Sequence, residues 1–134
     1  MRIKQLGNGG AFNTESTNSS FLIDSGRDYI LFDCGYNVFS KLRELEKTEP
    51  STIEKINTVF ISHLDDDHVG SLKSLLHYRF YILNKTTTVI SGVSEVEDFI
   101  KDVNFTMKFN QMVPEIICKF KLLDGSVSLG SCIL

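Results

Sequence analysis

The stretch that most constrains this chain is Thr58–Gly70, TVFISHLDDDHVG. There an apolar, β-favouring run, Val59-Phe60-Ile61, delivers two histidines and three aspartates into the six positions from His63 to His68. A strand carried by such a run ordinarily ends in a turn of one or two polar residues. This turn instead holds a dense set of imidazole and carboxylate donors. Carboxylates so close in sequence repel unless water screens them or a cation neutralises them, and a divalent metal answers that requirement. The competing reading is a solvated acidic turn in which Asp66 or Asp67 is the N-cap of a helix starting near His68. Capping can coexist with ligation, but by itself it leaves both histidines unexplained.

The pattern H-x-D-x-D-H, after a strand and before a helix, resembles the H-x-H-x-D-H signature of the metallo-β-lactamase fold superfamily. Taken residue by residue, His63 matches the first histidine, Asp67 the aspartate and His68 the final histidine. Asp65 stands where the family usually has its second histidine. The resemblance implies a metal set of His63, Asp65, Asp67 and His68, with His63 and Asp65 serving one ion and Asp67 and His68 a second. A carboxylate at Asp65 hardens the site, so Mn²⁺ or Fe²⁺ stands beside Zn²⁺ as the expected divalent metal, as one ion or two.

Upstream, G-N-G-G-A-F, then S-S-F-L-I, then I-L-F-D-C-G occur in the order in which the ribonuclease Z-like branch of that superfamily builds its first sheet. This resemblance implies that Asp33, ending the third strand, lies behind the metal loop and hydrogen-bonds a ligand. The plainer reading of Asp33, an ordinary strand-end turn residue, stands level with it. The glycines of GNGGAF would suit a phosphate cradle, yet the stretch lacks the Lys-Ser/Thr of a P-loop, and a tight inter-strand turn is the favoured reading.

Hydrophobic spacing supplies the remaining elements. Strands are expected at Met1–Leu6, Asn18–Ile23 and Tyr29–Asp33, the latter two forming a hairpin, and again at Thr58–Ser62, Tyr78–Leu83 and Thr86–Ile90. Val38, Leu42 and Leu45 mark an amphipathic helix over Val38–Lys47, and Val69, Leu72, Leu75 and Leu76 mark a second. His77, at the end of that second helix, reads as structural. A third helix carries Val96, Phe99, Ile100 and Val103, with Ser94 and Glu97 forming a capping box. Phe105, Met107, Phe109 and Met112 read as core or sheet-edge residues ahead of a substrate groove. Asp124-Gly125 signals a hairpin between Glu115–Leu123 and Ser126–Leu134.

A length of 134 residues with 42% hydrophobic residues predicts a single domain spanning 1–134. No apolar run approaches a membrane span and MRIKQLGNGG lacks a signal-peptide core, so a cytoplasmic, membrane-free protein is expected. Three cysteines without C-x-x-C spacing suggest buried reduced thiols. A net charge of −3 offers nucleic acid no global attraction. The family's remaining ligands all come downstream, and no histidine follows His77. The expected fold class is therefore α/β, a metallo-β-lactamase-like αββα sandwich of which about the N-terminal half to two-thirds is present. Such a partial domain would leave Val59, Ile61, Phe120 or Leu122 partly exposed and favour a homodimer.

By resemblance, the implied function is a metal-dependent hydrolase of phosphodiesterase type. It would act on RNA or a cyclic nucleotide through metal-activated water, with Asp67 as general base. The alternative is an inert half-domain that binds metal or a partner and self-associates.

Overall fold

Period-2 alternation along the strands and helical spacing between them sort the chain into one mixed sheet with helices on one face. The computed structural model describes residues 2–13, 15–108, 111–114, 116–124, 128–129 and 132–133. Strands β1 (Arg2–Gly7), β2 (Ser20–Asp24) and β3 (Tyr29–Phe32) form an antiparallel meander. Helix α1 (Val38–Leu45) then returns the chain to β4 (Ile56–Phe60), parallel to β3. Helices α2 (Asp66–Val69) and α3 (Leu72–His77) lead to β5 (Thr87–Ser91), parallel to β4. After α4 (Val96–Val103), an antiparallel pair, β6 (Phe105–Lys108) and β7 (Gln111–Pro114), precedes β8 (Cys118–Leu122). Strand β8 pairs in parallel with β5, giving a six-stranded sheet in the order β1-β2-β3-β4-β5-β8. A short antiparallel pair, β9 (Ser128–Leu129) and β10 (Cys132–Ile133), follows.

The helix-facing side of the sheet presents Leu22, Leu31, Val59, Ile61 and Val89 to Val38 and Leu42 of α1, Leu72, Leu75 and Leu76 of α3, and Val96, Ile100 and Val103 of α4. All are buried. Each such side chain contributes about 1.5–3 kcal/mol of transfer free energy, which makes this layer the main source of cohesion. The opposite face carries Ile23 and Ile30 with Phe32 packed on them. Across it, Phe21, Phe32 and Phe60 stack from β2 to β4 at centroid separations of 4.7 and 5.0 Å.

Several expectations change. Val59 and Ile61 are wholly covered by the helices, because they alternate onto the same face as Leu31, whereas Leu122 is 47% exposed and Phe120 half-buried. Tyr78–Ile82 is a π-helical continuation of α3 and not a strand. The reason lies in Arg79, which is completely buried. Its guanidinium donates to Thr87 Oγ1 at 2.7 Å, Glu54 O at 2.7 Å, Asn57 Oδ1 at 2.8 Å and Ile53 O. A buried cation needs such partners, and the helical path delivers it to them. Burial pushes the Arg79 pKa down to about 10, where it still holds its charge at neutral pH.

Glu95, not Ser94, precedes α4, and no side chain caps that helix. The predicted hairpin at Asp124-Gly125 and the side chains of Met107, Phe109 and Met112 fall outside the described residues. Cys34 and Cys118 are buried free thiols. Among the described residues no helix is long and apolar enough to cross a membrane.

Candidate metal centre

The parallel pair β3 and β4 ends in step, with Phe32 opposite Phe60. Asp33 and the Ile61-Ser62-His63 segment therefore emerge side by side at the carboxyl ends of two neighbouring parallel strands, where crevices in α/β sheets ordinarily bind ligands. Asp33 turns sharply there, with φ of 59°, a left-handed conformation that aspartate adopts more readily than most residues. Its backbone N–H donates to Phe60 O at 2.8 Å. Its carboxylate faces inward: Oδ1 accepts from Ser62 N at 2.8 Å, and Oδ2 accepts from Ser62 Oγ at 2.7 Å and lies 2.7 Å from His68 Nδ1. Asp33 thus sits behind the loop and against an imidazole.

The loop folds back through α2. Asp65 occupies the N-cap position, in place of Asp66 or Asp67, and its side chain makes no cap bond. Its carbonyl accepts from His68 N at 2.8 Å and Val69 N at 3.0 Å, and this single turn swings Asp67 and His68 over the strand end. His63, Asp67 and His68 each offer one ligand atom, and those atoms lie within 4.8 Å of one another. The two imidazole rings are 3.8 Å apart between centroids. His68 Nε2 faces Asp67 Oδ2 at 3.1 Å, and His63 Nε2 faces Asp65 Oδ2 at 3.2 Å. Asp65 stays at the rim with its side chain 77% exposed, against 18% for Asp67. The close contacts thus follow the pairing of His63 with Asp65 and Asp67 with His68, while His63, Asp67 and His68 also stand near enough to one another to share a single ion.

A neighbouring loop clamps this arrangement. Cys34 N donates to His68 O at 2.7 Å and Ser71 N to Cys34 O at 3.2 Å. The Ser71 hydroxyl donates to Gly35 O and accepts from Phe39 N at 3.0 Å. Gly35 presses so closely that a Cβ there would stand 2.3 Å from Asp67 O. Burial pushes the Cys34 thiol up to about 12, which leaves it a neutral packing group. His77 lies away from the group, 3.3 Å from Val103 O through Nε2. Sequence reasoning missed Ser62, whose only signal was a hydroxyl placed between strand and motif, and Ser71.

Two imidazole nitrogens and a carboxylate make up the three protein ligands that catalytic zinc sites ordinarily use, and they suit other divalent cations as well. Among the described residues, none of the ion pairs brings a lysine or arginine to Asp65 or Asp67. The carboxylates there face imidazoles alone among the described ion pairs, and the donor set fits a divalent metal.

Comparison with known proteins places these features. The family described as anti-Pycsar protein Apyc1 matches residues 1–104, which include every residue of the centre. The chain is 35% identical over 79 residues to the anti-Pycsar protein Apyc1 of Paenibacillus sp. (strain J14), covering 59% of this chain and 31% of that protein. It is also 35% identical over 132 residues to the ribonuclease Z of Methanococcus aeolicus, covering 93% of this chain and 40% of that one. Among solved structures, the metallo-β-lactamase fold protein YhfI from Bacillus subtilis superposes with a TM-score of 0.71 at 23% identity, over 96% of this chain and 48% of YhfI. The short form of human tRNase Z superposes with a TM-score of 0.64 at 23% identity, over 88% and 43% of the two chains. The fold is the α/β metallo-β-lactamase fold, and the chain spans less than half the length of these relatives.

Proposed function

The chain belongs to the anti-Pycsar protein Apyc1 family, and from that membership we propose that it takes part in metal-dependent hydrolysis of a phosphodiester, with a cyclic nucleotide as the favoured substrate class and RNA second. The observation that carries the reading is the convergence of His63, Asp67 and His68 within 4.8 Å at the carboxyl ends of parallel strands. His63, Asp67 and His68 would hold the metal, with Asp65 near enough to His63 to join them. When bound, a divalent cation supplies Lewis acidity, acidifying water and offsetting negative charge on phosphoryl oxygens. The chain's own part is to orient and to move a proton. Asp33 holds the His68 ring, and Asp67 is the carboxylate proposed to take a proton from the attacking water. Cyclic nucleotides rank first because of the family, and the ribonuclease Z relatives keep RNA in second place.

The test is hydrolysis of bis(p-nitrophenyl) phosphate and of cyclic nucleotides with added Mn²⁺ or Zn²⁺. Activity is expected to require the metal, to stop with chelator and to fall at least a hundredfold in Asp67→Ala, the lower range for loss of a general base, ~10²–10⁴. Turnover indifferent to chelator or to Asp67→Ala would refute the reading. Complete inactivity would favour the second reading, a metal-binding half-domain that self-associates. The apolar face carrying Phe21, Phe32 and Phe60 supports that alternative.

A further inference from the structure

We propose that Ser62 is a positioning residue of the metal centre: its hydroxyl transmits the hydrogen bonding of Asp33 to His63, so that one carboxylate sets the orientation and tautomer of both imidazoles. The inference rests on His63 and His68 being ligands, as proposed above, and not on hydrolysis. Ser62 Oγ lies 2.7 Å from Asp33 Oδ2, 3.0 Å from His63 Nδ1 and 3.3 Å from His68 Nδ1. A hydroxyl has one proton to place among these neighbours, whereas an ionised carboxylate can only accept. Were the proton directed at His63, two bare oxygens would face each other at 2.7 Å. The proton therefore goes to Asp33, and the Ser62 oxygen is left to accept.

His63 must then carry its hydrogen on Nδ1 to complete the contact. His68 must do the same, because its Nδ1 lies 2.7 Å from the same Asp33 oxygen. Both Nε2 atoms then face Asp65 and Asp67, at 3.2 and 3.1 Å, as acceptor against acceptor, a pairing that a cation bound between ring and carboxylate relieves and that, without one, draws a proton onto Nε2 instead. Asp33 reaches His68 directly but reaches His63 only through Ser62. The backbone reinforces the geometry, since Ser62 N donates to the other Asp33 oxygen at 2.8 Å and fixes where the hydroxyl sits. An imidazole in water that lacks a partner at Nδ1 carries its proton mainly on Nε2, which would block ligation. Removing the hydroxyl thus withdraws the preparation of one ligand and spares the other.

The test pairs a spectroscopic readout with a thermodynamic one. Two-bond ¹H–¹⁵N correlation spectra of the protein loaded with Zn²⁺ are expected to show His63 and His68 both bound through Nε2, each with its Nδ1 hydrogen protected from exchange with water. In Ser62→Ala, the His63 Nδ1 hydrogen is expected to exchange freely while that of His68 stays protected, and calorimetric affinity for Mn²⁺ or Zn²⁺ is expected to fall about tenfold, the lower range for loss of such a supporting bond. Ser62→Thr keeps a hydroxyl and is expected to restore both. A wild-type His63 bound through Nδ1 or not bound at all, or a Ser62→Ala protein with wild-type exchange or wild-type affinity, would overturn the proposal. Absence of hydrolysis would refute the functional reading and leave these outcomes readable.

Discussion

Gly35→Ala tests whether the clamp between the Cys34-Gly35 loop and the metal loop is as tight as described. The new Cβ would stand 2.3 Å from Asp67 O, 2.5 Å from Asn18 Oδ1 and 2.6 Å from Asn18 Cβ, where ordinary contact begins at 3.4 Å. About 1 Å of relief is needed on each side, and one side is backbone, so side-chain rotation cannot supply it. Overpacking of this kind costs about 1–3 kcal/mol. The same two segments are tied by Cys34 N–H to His68 O at 2.7 Å, and losing that bond as they separate adds about 1 kcal/mol. The expected loss is roughly 2–4 kcal/mol, read as a lower urea midpoint with an unchanged m-value. The displaced carbonyl belongs to Asp67 itself, so calorimetric metal affinity should fall about tenfold in parallel. Gly10→Ala is the control: nothing lies within 4 Å of a Cβ there, and its effect should stay within about 0.5 kcal/mol. A Gly35→Ala protein indistinguishable from Gly10→Ala in midpoint and metal affinity would refute the argument.

Arg79→Met should destabilise the fold by about 3 kcal/mol or more, because it strips donors from several buried acceptors; a thermal midpoint within a degree or two of wild type would contradict this. Cys34 and Cys118, both raised by burial to about 12 from 9.0, should resist iodoacetamide in native buffer and react in urea, as read by mass spectrometry. Between those two values the unfolded thiols ionise and the folded ones do not, so the unfolded state binds fewer protons and stability should fall as pH rises from 9 toward 12; a urea midpoint flat across that window would count against it. Phe21→Ser, on the apolar face opposite the helices, should lower the mass observed by sedimentation. Wild-type protein that is already monomeric would show that this face does not drive association.

What the sequence disclosed follows the range over which each cause acts. The continuous apolar run of Tyr29–Phe32 and the helical spacing of Val96, Ile100 and Val103 are local, and those elements stand where the pattern put them. The cluster of His63, Asp67 and His68 was legible because its members lie within six positions joined by one helical turn. Asp33 is twenty-nine positions from Ser62, and residue pattern alone left it level with a plain turn residue; resemblance to a family supplied the hint. Arg79 gave no local sign that it would be buried, since its acceptors come from residues 53–57 and 87. That distant requirement accompanies a π-helical path where the aromatic-rich YRFYIL stretch had read as a strand. Ser94 and Glu97 matched a cap by spacing, yet α4 begins one residue later, and the match had no geometry behind it.

The in-step ending of β3 and β4 makes the centre a check on the assembly of the sheet. A slip of β4 by one residue along β3 would turn Val59 and Ile61 away from the helices, exchanging the buried set for the other face. The same slip would carry Ser62 out of reach of Asp33, and with it the bond by which Asp33 holds His68. Hydrophobic pattern and metal chemistry thus encode the same alignment twice, in two independent alphabets. Because a misaligned chain would forfeit the proposed cation along with its core, any free energy released by binding would fall only to the correctly read register, and the ion would act as a proofreader of the fold that holds it.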